Sequence, residues 1–212
     1  TGPMSGRRYR LTVEAAPAGL SEGIAYQAFT ADMRQYIRIG GRYSLGLRAA
    51  GGVSGGDNPK RFYLGGVSNW IGSDIARSDV YDVDGLYFSQ VITPFRGYDY
   101  YAISGNKFAM ANVEFRFPFV DYLAMRFPLP LVLSRVGGAL FTDIGAAWPD
   151  SDRFQGATSQ DSFRLKDIKM SFGYGLRANL GFVVLRFDQA WRTDLNSVAH
   201  RPAFYFSLGA DY

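Results

Sequence analysis

Few residues of this chain could do covalent chemistry. Asp194, Ser197 and His200 supply the carboxylate, hydroxyl and imidazole of a hydrolase triad. They fall within one short turn, where side chains so close in sequence rarely reach triad geometry. His200 is the only histidine and there is no cysteine, so disulfides, thiolate metal sites and histidine-rich metal sites are excluded. We therefore expect no catalytic residue, no metal and no cofactor.

A single arginine in an aromatic and glycine-rich stretch is the stronger candidate for a functional contact. The stretch VITPFRGYDYYAISGN, 91–106, places Arg96 between Phe95 and Gly97. A guanidinium is a planar fork of donors that binds two carboxylates at once and stays charged. The elements on either side of this stretch must supply those carboxylates.

Period-two alternation of apolar and polar residues runs through nearly the whole chain, and helical periodicity is almost absent. In KMSFGYGLRANLG, 169–181, Phe172 and Leu176 share one face, while Ser171 and Arg177 share the other. Most such segments reach or exceed the ~9–11 residues with which a tilted strand crosses a bilayer. The predicted strands are 7–16, 25–39, 42–53, 108–119, 131–148, 169–181, 182–193 and 202–212.

The connections between these strands alternate in length, as in outer-membrane barrels with short periplasmic turns and longer outer loops. This parity predicts that both termini are periplasmic. The short or intermediate connections are 40–41, 120–130 and 180–181, and the long ones are 54–107, 149–168 and 194–201. No apolar run approaches the ~20 residues of a membrane helix. No signal peptide opens the chain, which begins in mid-pattern like a mature form or a fragment.

A soluble β-sandwich would also alternate, with one buried face. The predicted strands are about twice the length of soluble strands, which average about 5–6 residues. Charges at mid-strand on the polar face favour a water-filled or plugged lumen over a solvated sheet surface. These charges are Asp32, Arg34, Glu114, Arg177 and Asp188. We therefore predict an all-β transmembrane antiparallel β-barrel domain over 1–212.

The composition agrees with this class. Charged residues make up 20 % and aromatic residues 16 %, which is light on charge and rich in aromatics for a soluble protein. The net charge of +4 forms no basic run, so the sequence predicts no nucleic-acid partner. Outer-membrane lipid is the expected surroundings of the apolar strand faces.

Four stretches, in the same order, resemble the C-terminal barrel of the BamA-type outer-membrane assembly and translocation superfamily, also called bacterial surface antigen domains. PFRGYDY at 94–100 is similar to the Arg-Gly-aromatic motif of the family's sixth outer loop, and NVEFRFP at 112–118 to the strand after it. FTDIGAAW at 141–148 is similar to the family's Phe-x-Asp-x-Gly strand. FYFSLGADY at 204–212 is similar to its C-terminal β-signal.

One departure from the family pattern concerns the longest loop. Extra residues near 67–92 separate RFYLGG, 61–66, from the Arg-Gly motif. LGGVSNW and GNKFAMANVEFRFP are closer to a subgroup whose barrel ends a long polypeptide with periplasmic β-propeller repeats.

The resemblance implies that this loop folds back into the lumen and that its arginine pairs with acidic residues on the barrel wall. Carried over by motif, Arg96 meets Glu114 and Asp143, Gly97 allows close approach, and Tyr98 packs against the wall. We call these five residues the loop lock. The alternation agrees independently, because both carboxylates fall on the polar face of their strands.

The β-signal and the strand count complete the expectations. The β-signal residues are Phe204, Phe206, Gly209 and Tyr212, which also fit an ordinary last strand with an interfacial aromatic. A barrel closed by eight strands has a lumen filled by side chains, with no room for the loop. We therefore expect these eight strands to be the C-terminal half of a sixteen-stranded barrel, completed by strands from the same or another chain.

The function implied by the resemblance is non-enzymatic. Such a barrel, in the outer membrane of a Gram-negative bacterium, inserts, assembles or translocates client outer-membrane or secreted proteins through a weak seam between its first and last strands. A passive pore or structural barrel is the first alternative, and it needs no loop lock. An outer-membrane enzyme with a site at the outer rim, such as the turn at 194–200, is the second.

Overall fold

The computed structural model describes residues 3–17, 25–68, 71, 90–126, 131–149, 154–158, 164–180 and 183–209. All regular secondary structure in these ranges is β-strand. The described part of the chain holds no helix with the length and apolar character needed to cross a membrane. The predicted all-β class is confirmed.

Thirteen strands are present in the described ranges, eight of them long. In chain order they are β1 Gly6–Ala16, β2 Tyr26–Gly40, β3 Tyr43–Gly55, β4 Phe62–Leu64, β5 Gln90–Thr93, β6 Ile103–Gly105, β7 Lys107–Met125, β8 Leu131–Trp148, β9 Ala157–Thr158, β10 Arg164–Leu165, β11 Lys169–Asn179, β12 Val184–Thr193 and β13 Ala203–Gly209. The long strands form one antiparallel sheet, β1-β2-β3-β7-β8-β11-β12-β13. Its edges in the described residues are β1 and β13, so barrel closure and the sixteen-strand count stay predictions.

The strand boundaries follow the predicted alternation except after β7. The predicted strand 131–148 coincides with β8, whereas the predicted strand 108–119 continues to Met125. Most of the predicted connection 120–130 is therefore strand, and that prediction is wrong. Proline lacks the N–H that a ladder needs, so Pro118 interrupts the pairing within β7. The pairing of β7 with β8 accommodates the proline through a register shift between Pro118 and Val120.

The sheet has two unlike faces. Alternate residues on one face are large, apolar and exposed, such as Val13 at 76 % and Phe204 at 54 %. The other face carries buried polar residues, including Asp143 and Ser171. We call this second side the inner face. An exposed apolar face over eight strands is what a lipid-facing barrel wall requires.

The long connection between β3 and β7 packs against the inner face. Its strands β4, β5 and β6 form a small three-stranded sheet with β4 in the centre. Phe62 and Leu64 of β4 lie in one buried cluster with Phe95, Ile103 and Phe108, and the rings of Phe62 and Phe108 are 4.9 Å apart. Each such side chain contributes roughly 1.5–3 kcal/mol when buried. Because this cluster joins loop residues to Phe108 of β7, it holds the segment around Arg96 next to the inner face of the sheet.

Candidate functional site

The Arg96 side chain meets two wall carboxylates from neighbouring strands. Asp143 on β8 receives three hydrogen bonds from Arg96, which come from its backbone N–H at 3.0 Å, Nε at 2.8 Å and Nη2 at 2.7 Å. Glu114 on β7 receives one from Nη1 at 2.6 Å. We call these three residues the Arg96 cluster. The guanidinium therefore uses its fork on both carboxylates at once.

An aromatic ring completes the setting of the guanidinium. The Cζ atom of Arg96 lies 3.5 Å from the centroid of the Phe141 ring, on the inner face of β8. Arginine stacks favourably on aromatic faces, and the attraction grows when water is excluded. Phe141 is two residues before Asp143, so the same strand supplies both the platform and the main acceptor.

Glu114 also links the cluster to two further arginines on the wall. Arg116 Nε lies 2.7 Å from Glu114 Oε1, and Arg177 Nη2 lies 3.8 Å from Glu114 Oε2. Arg177 in turn pairs with Asp188 at 2.6 Å. Asp143 has no such second cation among the described residues. Glu114 is therefore a shared partner, and Asp143 is dedicated to Arg96.

The electrostatics keep Arg96 charged. Burial opposes the charged form, but the Asp143 and Glu114 carboxylates outweigh it and raise the pKa of Arg96 above its ordinary value. The side chains of Arg96 and Asp143 are only 11 % and 1 % exposed. Burying such a group is costly in itself, but removing one partner strands a charge and costs roughly 3–5 kcal/mol. The cluster therefore holds the loop in position without necessarily adding net stability.

Gly97 brings the loop backbone against β11. Its φ is +89°, a region that residues with a Cβ rarely adopt. A Cβ at this position would lie 2.7 Å from the Cβ of Ser171. The Ser171 hydroxyl donates a hydrogen bond of 2.5 Å to the carbonyl oxygen of Arg96. The close approach that the sequence predicted for Gly97 thus has a specific partner on the wall.

Tyr98 lies between the loop and the last two strands. Its ring packs at 5.3 Å from Phe95 and at 4.7 Å from the guanidinium of Arg192 on β12. Its carbonyl oxygen accepts a hydrogen bond of 2.9 Å from the Tyr205 hydroxyl of β13. Burial raises the pKa of the Tyr98 phenol. The arginine at 192 also donates to the carbonyl oxygen of Gly97.

Four further residues contact the loop and were not predicted as site residues, namely Phe141, Ser171, Arg192 and Tyr205. Period-two alternation places all four on the same face as Asp143, and their register partners agree with this. That signal was available in the sequence. It marks an inner side chain, but it does not say which inner side chains the loop contacts.

The β-signal residues that the structure describes divide between the two faces. Phe204 and Phe206 lie on the exposed apolar face, 54 % and 42 % exposed. Gly209 ends β13 opposite Val184. Tyr212 lies outside the described residues. The inward residues of this stretch include Tyr205, which is fully buried, and Ser207.

The residues of the possible hydrolase triad form a turn instead. Asp194 Oδ1 accepts hydrogen bonds from the backbone N–H groups of Asn196 and Ser197 and, at 3.0 Å, from the Ser197 hydroxyl. The N–H of Ser197 leads the interactions that lower the pKa of Asp194. In a triad the imidazole stands between hydroxyl and carboxylate. Here Ser197 bonds Asp194 directly, so His200 has no place between them.

The comparison with protein families gives one match. The model of the Omp85 superfamily domain matches residues 1–212. No curated protein matches the chain. Members of this superfamily are outer-membrane proteins of Gram-negative bacteria and organelles that act in protein assembly and translocation. With its eight-stranded antiparallel sheet and the match over its whole length, the chain belongs to the Omp85 superfamily.

Proposed function

We propose that this chain is part of an outer-membrane β-barrel that inserts, assembles or translocates proteins, with the loop lock holding a long loop against the inner wall. Family membership supports the general role. The observation that carries the specific proposal is the Arg96 cluster, in which one buried cation from the loop bonds two strands. A structural barrel has no need to fix a loop in this way.

The proposed mechanism uses an edge of the sheet. β13 is an edge strand in the described residues, and backbone groups on its outer side can pair with another strand. One of its carbonyl oxygens, that of Phe206, already accepts a hydrogen bond of 2.8 Å from the N–H of Ile71. Addition of a client strand to such an edge is β-augmentation. Pro202 before β13 and Gly209 at its end limit how firmly any partner pairs there. A seam of this kind opens more readily than an interior pairing.

The loop contributes to this mechanism through its contact with β13. Because Tyr205 binds the Tyr98 carbonyl oxygen, the loop that Arg96 holds also touches the edge strand. We propose that the lock sets the position of β13 at the seam. Further strands from the same or another chain complete a sixteen-stranded barrel. We also propose that this chain belongs to the subgroup whose barrels follow periplasmic β-propeller repeats, because LGGVSNW and GNKFAMANVEFRFP are similar to that subgroup.

The test uses the full-length polypeptide in its source bacterium under a depletable promoter. We expect depletion to lower the amounts of other folded barrels or of secreted proteins, measured by quantitative mass spectrometry of outer-membrane and secreted fractions. The parent gene restores them, and Arg96→Ala restores them poorly. The matched control is Arg164→Gln, which removes an exposed loop ion pair with Asp194. Unchanged protein amounts after depletion would sink the proposal.

A passive pore is the alternative that one observation favours. The inner face lines an open cavity of about 570 Å³ with charged walls, which suits passage of hydrated solutes. The passive-pore hypothesis predicts a different result in the depletion strain. Depletion would slow uptake of small hydrophilic solutes and leave the amounts of other outer-membrane proteins unchanged.

A further inference from the structure

A hydrogen bond joins the long loop to the edge of the sheet. The N–H of Ile71 donates to the carbonyl oxygen of Phe206 on β13, at 2.8 Å. The register partner of Phe206 on β12 is Phe187, whose own carbonyl oxygen points to β11, 2.9 Å from a Cβ placed on Gly175. Residues opposite each other in an antiparallel pair either exchange hydrogen bonds or both direct them away. The Phe206 carbonyl therefore faces the open edge of β13, where Ile71 binds it.

This contact falls in the middle of the edge. Backbone groups of successive residues point to opposite sides of a strand, so the outward groups of the seven-residue strand β13 are those of Phe204, Phe206 and Leu208. Ile71 takes the central one of these three. A strand that adds to β13 must form its ladder through the same carbonyl oxygen. Ile71 and an added strand are therefore mutually exclusive on this edge.

Val67 brings the loop across the inner face towards this edge. It is 8 % exposed and packs in one buried cluster with residues of β8, β12 and β13, namely Phe141, Ala190 and Tyr205. The phenol of Tyr100 donates a hydrogen bond to the carbonyl oxygen of Val67. Four residues of chain span up to ~13 Å, which is enough to pass from this cluster to the outer side of β13. We call Val67 and Ile71 the edge cap.

The edge cap is continuous with the loop lock. Gly66, directly before Val67, donates its N–H to the Tyr98 carbonyl oxygen at 2.8 Å. The carbonyl oxygen of Gly66 accepts a hydrogen bond of 3.0 Å from the N–H of Phe95. Both bonds tie the start of the cap to the segment that Arg96 holds on the wall.

We propose that the edge cap closes β13 to incoming strands while the seam is open, so that a client strand pairs there only after the cap leaves. This inference rests on the proposed function, because it concerns regulation of the same edge. A bare edge pairs with other strands indiscriminately, and unpaired backbone groups within a bilayer are costly. The cap holds the edge through one hydrogen bond, which a client strand that forms several can displace.

The first test locates the cap in a full-length polypeptide that is otherwise free of cysteine and is purified in detergent. We expect Ile71→Cys combined with Phe206→Cys to form a disulfide on mild oxidation, because disulfides need Cα atoms within about 7 Å. Ile71→Cys combined with Phe187→Cys is the matched control and should not cross-link, since Phe187 lies one strand further from the edge. No disulfide in the first pair, or equal yields in the two pairs, overturns the proposal.

The second test measures whether the cap excludes a strand. The probe is a fluorescent peptide with the sequence of β13, AFYFSLG, flanked by lysines, and its binding is followed by fluorescence anisotropy. The oxidised variant with cysteines at 71 and 206 should bind it roughly tenfold more weakly than the reduced form, because main-chain hydrogen bonds at the edge supply the affinity. A variant with Tyr9→Cys and Met33→Cys, cross-linked away from β13, should bind equally in both states.

The outcomes separate this inference from the proposed function. Equal binding by the oxidised and reduced forms of the variant at 71 and 206 overturns the edge cap, and so does binding by neither form. The proposed function is judged independently by the depletion experiment, in which unchanged protein amounts would sink it whatever the peptide result.

Discussion

In the Arg96 cluster, Arg96 donates more hydrogen bonds to Asp143 than to Glu114. Asp143 takes three of the four hydrogen bonds that Arg96 gives to the wall, and it is 1 % exposed. Glu114 accepts one hydrogen bond from Arg96 and another from Arg116. The loop is thus held mainly by β8, while β7 couples it to the other charges of the inner face. A lysine at position 96 could reach one carboxylate as a point charge, but it could not match both.

We therefore predict a graded response at position 96. Arg96→Ala leaves the buried Asp143 carboxylate without a cation, while Glu114 keeps Arg116, and it should destabilise the closed loop by roughly 3–5 kcal/mol. Arg96→Lys should destabilise it by less. The measurement is hydrogen exchange by mass spectrometry on peptides covering 90–106. Because about 1.36 kcal/mol corresponds to a factor of ten, exchange in the alanine variant should rise roughly a hundredfold or more.

The control for this prediction is Arg164→Gln, whose guanidinium is 52 % exposed and pairs with Asp194 outside the inner face. Its exchange over 90–106 should match the parent, since surface ion pairs contribute little. Parent-like exchange in Arg96→Ala would mean that the apolar cluster around Phe95 holds the loop without the ion pairs.

The sequence predicted the charged members of this site and missed their surroundings. A motif singled out Arg96, and alternation placed Glu114 and Asp143 on the inner face. Phe141 lies under the guanidinium because β8 presents it one inner position away from Asp143. Nothing local in the sequence shows that a loop from elsewhere in the chain lies over that ring.

At the scale of elements, the site is where a loop crosses five long strands. The segment 95–98 contacts β7, β8, β11 and β12 through single side chains, and β13 through Tyr205. Such a crossing needs a backbone that can lie flat on the wall. Gly97 provides this, with a φ of +89° and the Cβ of Ser171 directly beneath it.

We predict that Gly97→Ala displaces the loop even though every charged residue remains. The added methyl group would lie 2.7 Å from Ser171 Cβ at a φ that alanine disfavours. The loss of folded-state stability should be about 1–3 kcal/mol, read from urea unfolding. Gly55→Ala is the matched control, because an added Cβ at Gly55, the last residue of β3 before the same loop, has nothing within 4 Å. Equal stability of the two variants would contradict the role of Gly97.

The contact between the loop and β13 gives a second prediction at this scale. Tyr205→Phe removes the hydroxyl that binds the Tyr98 carbonyl oxygen at 2.9 Å. That oxygen also accepts a hydrogen bond of 2.8 Å from the backbone N–H of Gly66. Because the acceptor keeps one partner, the cost should be only about 1 kcal/mol.

Urea unfolding of the full-length polypeptide measures this cost. Tyr174→Phe is the control, since it removes a hydroxyl from the exposed face, where Tyr174 meets Gln189. It should change the free energy of unfolding by a few tenths of a kcal/mol at most. If the two variants lose the same amount, the hydroxyl of Tyr205 does not tie the loop to the edge strand.

The strands were more predictable than the loop that covers them. Alternation over ten or more residues is a strong local signal, and β8 coincides with its predicted range. Pro118 shows where the signal fails, because a proline that normally ends a strand is accommodated by a shift of register. The strands β4, β5 and β6 are three or four residues long, too short to show a period. They exist because the inner face gives their side chains a surface to pack on.

For the whole molecule, the sheet leaves two edges in its described part, β1 and β13. Unpaired backbone groups within a bilayer cost several kcal/mol each, so both edges need partners. The loop that packs on the inner face occupies space that the side chains of an eight-stranded barrel would fill. Both arguments favour a larger barrel in which β1 and β13 pair with other strands and not with each other.

Engineered cysteine pairs test this arrangement cleanly, because the chain has no cysteine of its own. In the full-length polypeptide, pairs that join Tyr9, Leu11 or Val13 of β1 to Phe204 or Phe206 of β13 should form no disulfide on oxidation. A pair at Tyr9 and Met33, which are register partners on the exposed face, is the positive control and should cross-link. Disulfides across β1 and β13 would mean that eight strands close alone. The loop would then have to leave the lumen, and the Arg96 cluster could form only while the sheet is open.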